Sequence, residues 1–220
     1  MTHSLHRYGS RESLKNDFCI YARAAKGINR DKCGDKLRKI LAIFRSENVV
    51  NFGSSHSGKS YAAGLDPDAY AESLDNSYGV IASFDSREAV TGVLRKLKEA
   101  DIGISIVVSG LIDEVTAIAS ECGLTPHTAT LSLGIYGNRS LLPEDEVLEL
   151  TTMCGHSLVG SNLARSAIEK VKNGIMSPEE AAKLMAKPCT CGIFNTSRCV
   201  DLLKKQLEKI SEKGPETNCL

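Results

Sequence analysis

The sequence predicts a mixed α/β protein: a ferredoxin-like or Rossmann-like α/β sandwich followed by a helical, cysteine-rich C-terminal region. Three observations carry this expectation. Over residues 1–140, short apolar runs alternate with segments whose apolar residues recur at helical spacing. After Pro143 no strand signal remains, so residues 141–220 read as helical. Four of the eight cysteines, Cys154, Cys189, Cys191 and Cys199, fall in one 46-residue stretch of that second part.

The elements follow in order. Asp17–Ala25 reads as a strand. Leu37, Ile40, Leu41 and Phe44 give Arg30–Ser46 an apolar helical stripe. Asn48–Phe52 is a short β-branched run closed by Gly53, and Tyr78–Phe84 is another apolar run. Asp85 or Ser86 can cap the helix that carries Val90, Val93, Leu94 and Leu97. Ile102–Val108 is nearly continuous Ile and Val and reads as a buried strand. A helix with Ile112, Val115 and Ile118 stops near Cys122, and His127–Tyr136 reads as a final strand.

This order opens as the split βαβ arrangement of ferredoxin-like sheets. The same alternation suits a wound parallel sheet. A helix at Ala69–Leu74, inside the loop around residues 60–77, would favour the wound sheet.

In the C-terminal part, Glu144–Thr151 is a short acidic helix. Ser157–Lys172 carries Leu158, Leu163, Ala167, Ile168 and Val171 as its stripe and stops at Asn173-Gly174. Ser177-Pro178-Glu179-Glu180 combines an N-cap, a proline at the first helical position and first-turn acids. That helix ends at Pro188. A last one runs from Asn195–Ser197 to about Glu212, with a tail expected to fray.

Composition narrows the function. Lys+Arg and Asp+Glu both number 27 and aromatic residues make up 5%, which argues against a nucleic-acid partner. No apolar stretch is long enough for a membrane span, and the N-terminus lacks the apolar region of a signal peptide. A cytoplasmic location is therefore expected, and with it cysteines that stay reduced.

Cysteine chemistry is then the main pointer. Cys154, Cys189, Cys191 and Cys199 have the character of a metal or iron–sulfur ligand set, since thiolates bind both. They fall at predicted helix joints, where free N–H groups favour anions. Gly155 and Gly192 follow two of them and permit close backbone approach. The tight Cys189-x-Cys191 pair favours a [4Fe–4S] cluster over zinc. The zinc alternative uses Cys154, Cys189 and Cys191 with His156 or Cys199. Small buried core residues are the plain alternative. With three ligands one iron stays open for catalysis, and His156 is the candidate acid/base group. With Cys199 as a fourth ligand the centre is closed. Cys19 and Cys122 read as packing, Cys33 as mildly reactive beside basic residues, and Cys219 lies in the tail.

Gly53–Ser60 matches the G-x-x-x-x-G-K-[ST] pattern of phosphate loops in full. Gly64 and Pro67 interrupt the helix such a loop must open, so nucleotide binding is the lesser reading. Gly53, His56, Lys59 and Ser60 are instead candidates to grip a small anionic substrate near the metal. His3, His6, Arg7 and Arg11 form a basic arm, either solvated or folded over that pocket. Asp113, Glu114, Asn138 and Arg139 stand at strand ends, and the last two are candidates to meet the cysteine region. The expectation is a cytoplasmic iron–sulfur enzyme, a lyase, transferase or oxidoreductase. The alternative is a non-catalytic redox, sensor or assembly protein with a redox partner. A homodimer is a further expectation.

Overall fold

A computed structural model describes residues 5–54 and 58–213. His3, His56, Cys219 and the tail beyond Lys213 lie outside the described residues.

The chain opens with a helical turn, α1 (Arg11–Leu14), and enters β1 (Phe18–Arg23). Then come α2 (Gly34–Arg45), β2 (Asn51–Gly53), α3 (Pro67–Ser73), β3 (Gly79–Phe84), α4 (Arg87–Ala100), β4 (Ser105–Ser109) and α5 (Ile112–Glu121). The C-terminal part adds α6 (Asp145–Thr151), α7 (Ser161–Lys172), α8 (Pro178–Ala186) and α9 (Thr196–Lys213).

The strands form one four-stranded sheet in the order β2-β3-β1-β4. Every pairing is antiparallel. This overturns the parallel, Rossmann-like alternative. The helix suspected in the 60–77 loop does exist, as α3, but it does not rewind the sheet. It is short, is capped by Asp66, and drops Tyr70 into the core beside α2.

Two other expectations fail. The β-branched stretch 102–108 is not a buried strand: β4 is an edge strand, and Ser105 and Val107 are exposed. Residues 127–136 form no strand. Leu131, Leu133 and Tyr136 face solvent there. Composition reports the β-branched content of both segments but not whether a neighbouring strand is available to pair.

Strand alternation gives the sheet two different faces. Phe18, Ile20 and Ala22 of β1 point to a core completed by α2 and α4, where Phe44 meets Phe84 edge to face at 5.8 Å. Cys19 and Ile81 point the other way, into a core built with α6, α7, α8 and α9. On that second face, pairing aligns Asn51 with Ser83, Ser83 with Cys19, and Cys19 with Ser109. A row of polar and sulfur-bearing residues therefore crosses this face of the sheet.

Local chemistry fixes the helices. Ser86 caps α4 by accepting from the Ala89 N–H at 3.3 Å. At α8 the expected start is realised as a reciprocal capping box: Ser177 Oγ accepts from the Glu180 N–H, and the Glu180 carboxylate accepts from the Ser177 N–H. Among the described residues no helix is long and apolar enough to cross a membrane. Replacing Ser177 with Ala is expected to lower unfolding free energy by about 1 kcal/mol in urea titration, because an N-terminal donor of α8 loses its acceptor.

Candidate metal centre

The site is assembled on the loop between α8 and α9. Helix α8 ends at Ala186, and Cys189-Thr190-Cys191-Gly192 then turns sharply with Gly192 at φ +77°. A side chain there would run into the backbone of Phe52 and Gly53 in β2. Gly53 needs its own bareness, since a Cβ would lie 2.7 Å from the Thr190 carbonyl oxygen. The two glycines let the cysteine loop lie directly on the end of β2.

Three successive carbonyls of this loop are then tied to side chains. Gly192 O accepts from Ser83 Oγ at 3.3 Å. Ile193 O accepts from Arg7 Nη2. Phe194 O accepts from Asn51 Nδ2 at 3.1 Å. Asn195 closes the loop. Its amide donates to Asp17 Oδ1 at 3.0 Å, and its oxygen accepts the Arg198 N–H at 3.0 Å, capping α9.

The sulfur atoms lie inside this frame. Cys189 Sγ is 3.9 Å from Cys191 Sγ. Cys154, in the turn after α6, packs in the same core, and it and Cys189 act on each other's ionisation. Cys191 Sγ is 3.6 Å from Nδ1 of the exposed His156. Backbone N–H groups also act on each thiol: His156 and Leu158 on Cys154, Phe194 on Cys189, and Ile193 on Cys191. Helix α7 starts at Ser161, later than expected, so the donors to Cys154 come from a turn and not from a helix end. Cys191 is lowered from the ordinary thiol value by its bond with Cys189, against the opposing effect of burial. Cys154 is raised by its bond with Cys189 and by burial. Cys189 is pulled down by Cys154 but pushed up further by Cys191 and burial, to about 12.

Cys199 shares the same core from inside α9, fully buried, where burial raises its thiol and Arg198 opposes. Among the described residues it shares no hydrogen bond with another thiol. Cys19 does belong to the sulfur basin. It packs in the same core as Cys154, Cys189 and Cys191, and it interacts electrostatically with Cys189 and Cys191. Burial pushes its thiol up to about 11, with Arg7 opposing. The other two thiols sit in the opposite core: Cys33 is buried rather than reactive, and Cys122 packs under α4.

The N-terminal arm reaches into this basin. Arg7 forks onto Asp17 at 2.6 and 2.5 Å and touches Cys19 Sγ at 2.9 Å. Arg198 approaches the same carboxylate at 2.9 Å, and also bonds Ser13 and the Tyr8 carbonyl. Side-chain exposure is 0% for Asp17, 7% for Arg7 and 2% for Arg198, so these charges are shielded from water. Burial pulls Arg198 below the ordinary arginine value, with Asp17 opposing. For Arg7 burial acts the same way, but Asp17 and Cys19 outweigh it. Two guanidiniums share this carboxylate, and Glu149 acts on Arg198 as a second negative charge. Arg11 stays outside, paired with the exposed Asp113 and Glu114 on α5. Asn138 and Arg139 are exposed in a 3₁₀ turn, where Asn138 bonds Ser140.

The phosphate-loop match does not open a helix. Gly53 bridges to Ser60, and a single 3₁₀ turn, Tyr61–Ala63, ends at Gly64. Lys59 is exposed, while Ser60 is buried and its Oγ has no hydrogen-bond partner.

Among the described residues, no three His, Cys, Asp or Glu side chains are arranged to hold a metal ion as they stand. Cys189, Cys191 and His156 form a chain of contacts at 3.9 and 3.6 Å. The chemistry of the set still suits a metal, because backbone N–H groups favour the thiolate form of each sulfur. No protein-family model, curated protein or solved structure matches the chain.

Two variants test the frame. Asp17→Ala is expected to cost about 3–5 kcal/mol in denaturant unfolding, since it strands buried guanidiniums. Gly192→Ala combines a positive φ with a backbone clash, so its thermal midpoint should fall by the equivalent of more than about 1 kcal/mol.

Proposed function

We propose that Cys154, Cys189 and Cys191 ligate a metal centre, a [4Fe–4S] cluster, that acts on a small anionic substrate. The observation that carries this reading is the approach of thiols from two distant segments: Cys189 Sγ lies 3.9 Å from Cys191 Sγ, and Cys191 Sγ lies 3.6 Å from Nδ1 of His156, close along the chain to Cys154. The buried guanidinium of Arg7, 2.9 Å from Cys19 Sγ, favours an anionic centre in the same core. Such a cluster supplies Lewis-acid or electron-transfer chemistry. Among the described residues no hydrogen bond joins Cys199 to another thiol, so we assign three cysteines of the expected set to the centre, which suits an open iron.

The chain's own residues supply the rest. His156 is exposed with Nδ1 near Cys191, a place from which it can exchange protons with a substrate at the mouth. The loop that begins at Gly53 lies against Thr190, so Lys59 and Ser60 are positioned as the substrate-side wall. The described cysteines are all free, which fits a reducing compartment such as the cytoplasm. We place the sheet and its α2–α4 layer with the split βαβ, ferredoxin-like sandwiches, on strand order and antiparallel pairing.

A second reading rests on two distances. Thiolates sharing one zinc with 2.3 Å bonds lie ~3.8 Å apart, and a thiolate and an imidazole about 3.6 Å. The Cys189–Cys191 and Cys191–His156 separations of 3.9 and 3.6 Å match those edges.

Anaerobic purification followed by iron, sulfide and zinc analysis decides. The cluster reading expects a brown protein with iron and sulfide in equal amounts. It also expects loss of both in Cys154→Ser, Cys189→Ser and Cys191→Ser, with retention in Cys199→Ser and His156→Ala. Zinc without sulfide, lowered by His156→Ala, gives the second reading. A colourless, metal-free protein sinks both.

A further inference from the structure

Two unpartnered elements of the chain match each other. The first is the outer edge of β4. The strand pairs with β1 over Ser105–Ser109, and its other edge has no neighbouring strand among the described residues. Edge strands are commonly protected by a charge, a proline or a bulge. This one has none of these. From Gly103 to Ile112 there is no Asp, Glu, Lys, Arg or Pro, and the register with β1 skips no residue. Val107 is exposed on it.

The second element is the stretch between α5 and α6. Residues 125–142 are all exposed. From Pro126 to Asn138 there is no Asp, Glu, Lys or Arg, in a chain where these make up 25%. Ala129, Leu131, Leu133 and Ile135 recur at every second position, which is the period of a strand with one apolar side. Leu133 is nevertheless 83% exposed. Gly134 breaks the extended run at φ +98°, a bend that glycine can release without steric cost.

The stretch follows α5 directly, so on its own β4 it could lie only as a parallel strand, the slightly weaker pairing. Every pair in this sheet is antiparallel, and the single chain leaves the β4 edge open. A second copy can enter in the opposite direction. The eighteen residues 125–142 and the five of β4 also make a surface of the size that stable complexes use, about 20–30 residues a side.

We propose that the chain forms a two-fold dimer in which residues 128–136 of each copy add as an antiparallel strand to the β4 edge of the other. The backbone groups of that edge then gain partners, and the leucine row extends the apolar surface that begins at Val107. Reciprocity closes the assembly at two copies. Neither element carries a cysteine, so the dimer does not rest on the metal reading.

Sedimentation of the full chain is compared with that of Val107→Lys and Leu133→Lys. Both side chains are exposed, so circular dichroism and the thermal midpoint are expected to stay at parent values. The parent should sediment as a dimer, and each variant should raise the dimer dissociation constant at least about tenfold by placing an ammonium in the pairing. In an equal mixture of ¹³C-labelled and unlabelled parent chains, isotope-filtered spectra should join methyl groups of β4 on one copy to those of Leu131 and Leu133 on the other. These spectra use only the parent, so they decide even where a variant unfolds. A monomeric parent overturns the proposal, as does a dimer that neither variant weakens. An effect of Val107→Lys alone means that two β4 edges pair, and an effect of Leu133→Lys alone means a contact away from the sheet; either result overturns it. Contacts between β4 and the stretch within one chain mean that the strand closes on its own sheet, which overturns it too.

Discussion

The site depends on one buried carboxylate. Asp17 sits at the entrance to β1 with no exposed surface, and it is reached by Arg7 from the N-terminal arm, by Arg198 from α9 and by Asn195 from the cysteine loop. Each partner is itself tied to another part of the chain. Removing charges from water is costly, so such a group holds together only when every partner is in place. The requirement pins arm, sheet and last helix to one another. The sulfur basin lies in the corner they form.

The second face of the sheet shows how that corner acquires its chemistry. Antiparallel register sets Asn51, Ser83 and Cys19 side by side across β2, β3 and β1. A polar residue at each of these buried positions would be unfavourable without a partner. The partners for Asn51 and Ser83 are the Phe194 and Gly192 carbonyls of the cysteine loop, and Arg7 takes the Ile193 carbonyl between them. Its carbonyls are thus engaged on the sheet side. The bare Gly192 lets this happen at van der Waals distance from β2.

Much of this was legible in the chain, and what was not has identifiable reasons. Helix caps are local, so Ser86 and Ser177 announced their helices. Three of the four suspected cysteines meet, and Gly192 was recognisable as a place of close backbone approach. Pairing is not local. The β-branched stretch 102–108 gave an edge strand, and residues 127–136 gave none, because nothing in their composition says which neighbour they will have. Cys199 was grouped with the other thiols by nearness in sequence, and it shares their core from inside α9, without a hydrogen bond to them among the described residues. Cys19 was passed over as packing. Strand alternation alone separates it from Phe18 and Ile20, and assigning the helical region to that second face would have exposed it as a neighbour of the sulfurs. Arg7 carried no signal beyond a basic arm, since a buried role for an arginine depends on an acceptor that only the fold supplies.

The distance along the chain between the two ends of this site has a further consequence. Arg7 and the Ile193 carbonyl that it holds are separated by 186 residues. Contacts of such long range form late, after the loop they close has been ordered. During synthesis, Arg7, Asp17 and Cys19 leave the ribosome well before Ile193, Asn195 and Arg198, the partners they meet in the fold. Throughout that interval Cys19 lacks the shelter it has in the folded protein, and the later thiols meet the same exposure until the chain closes over them. The period of greatest vulnerability to oxygen is thus the protein's own biogenesis.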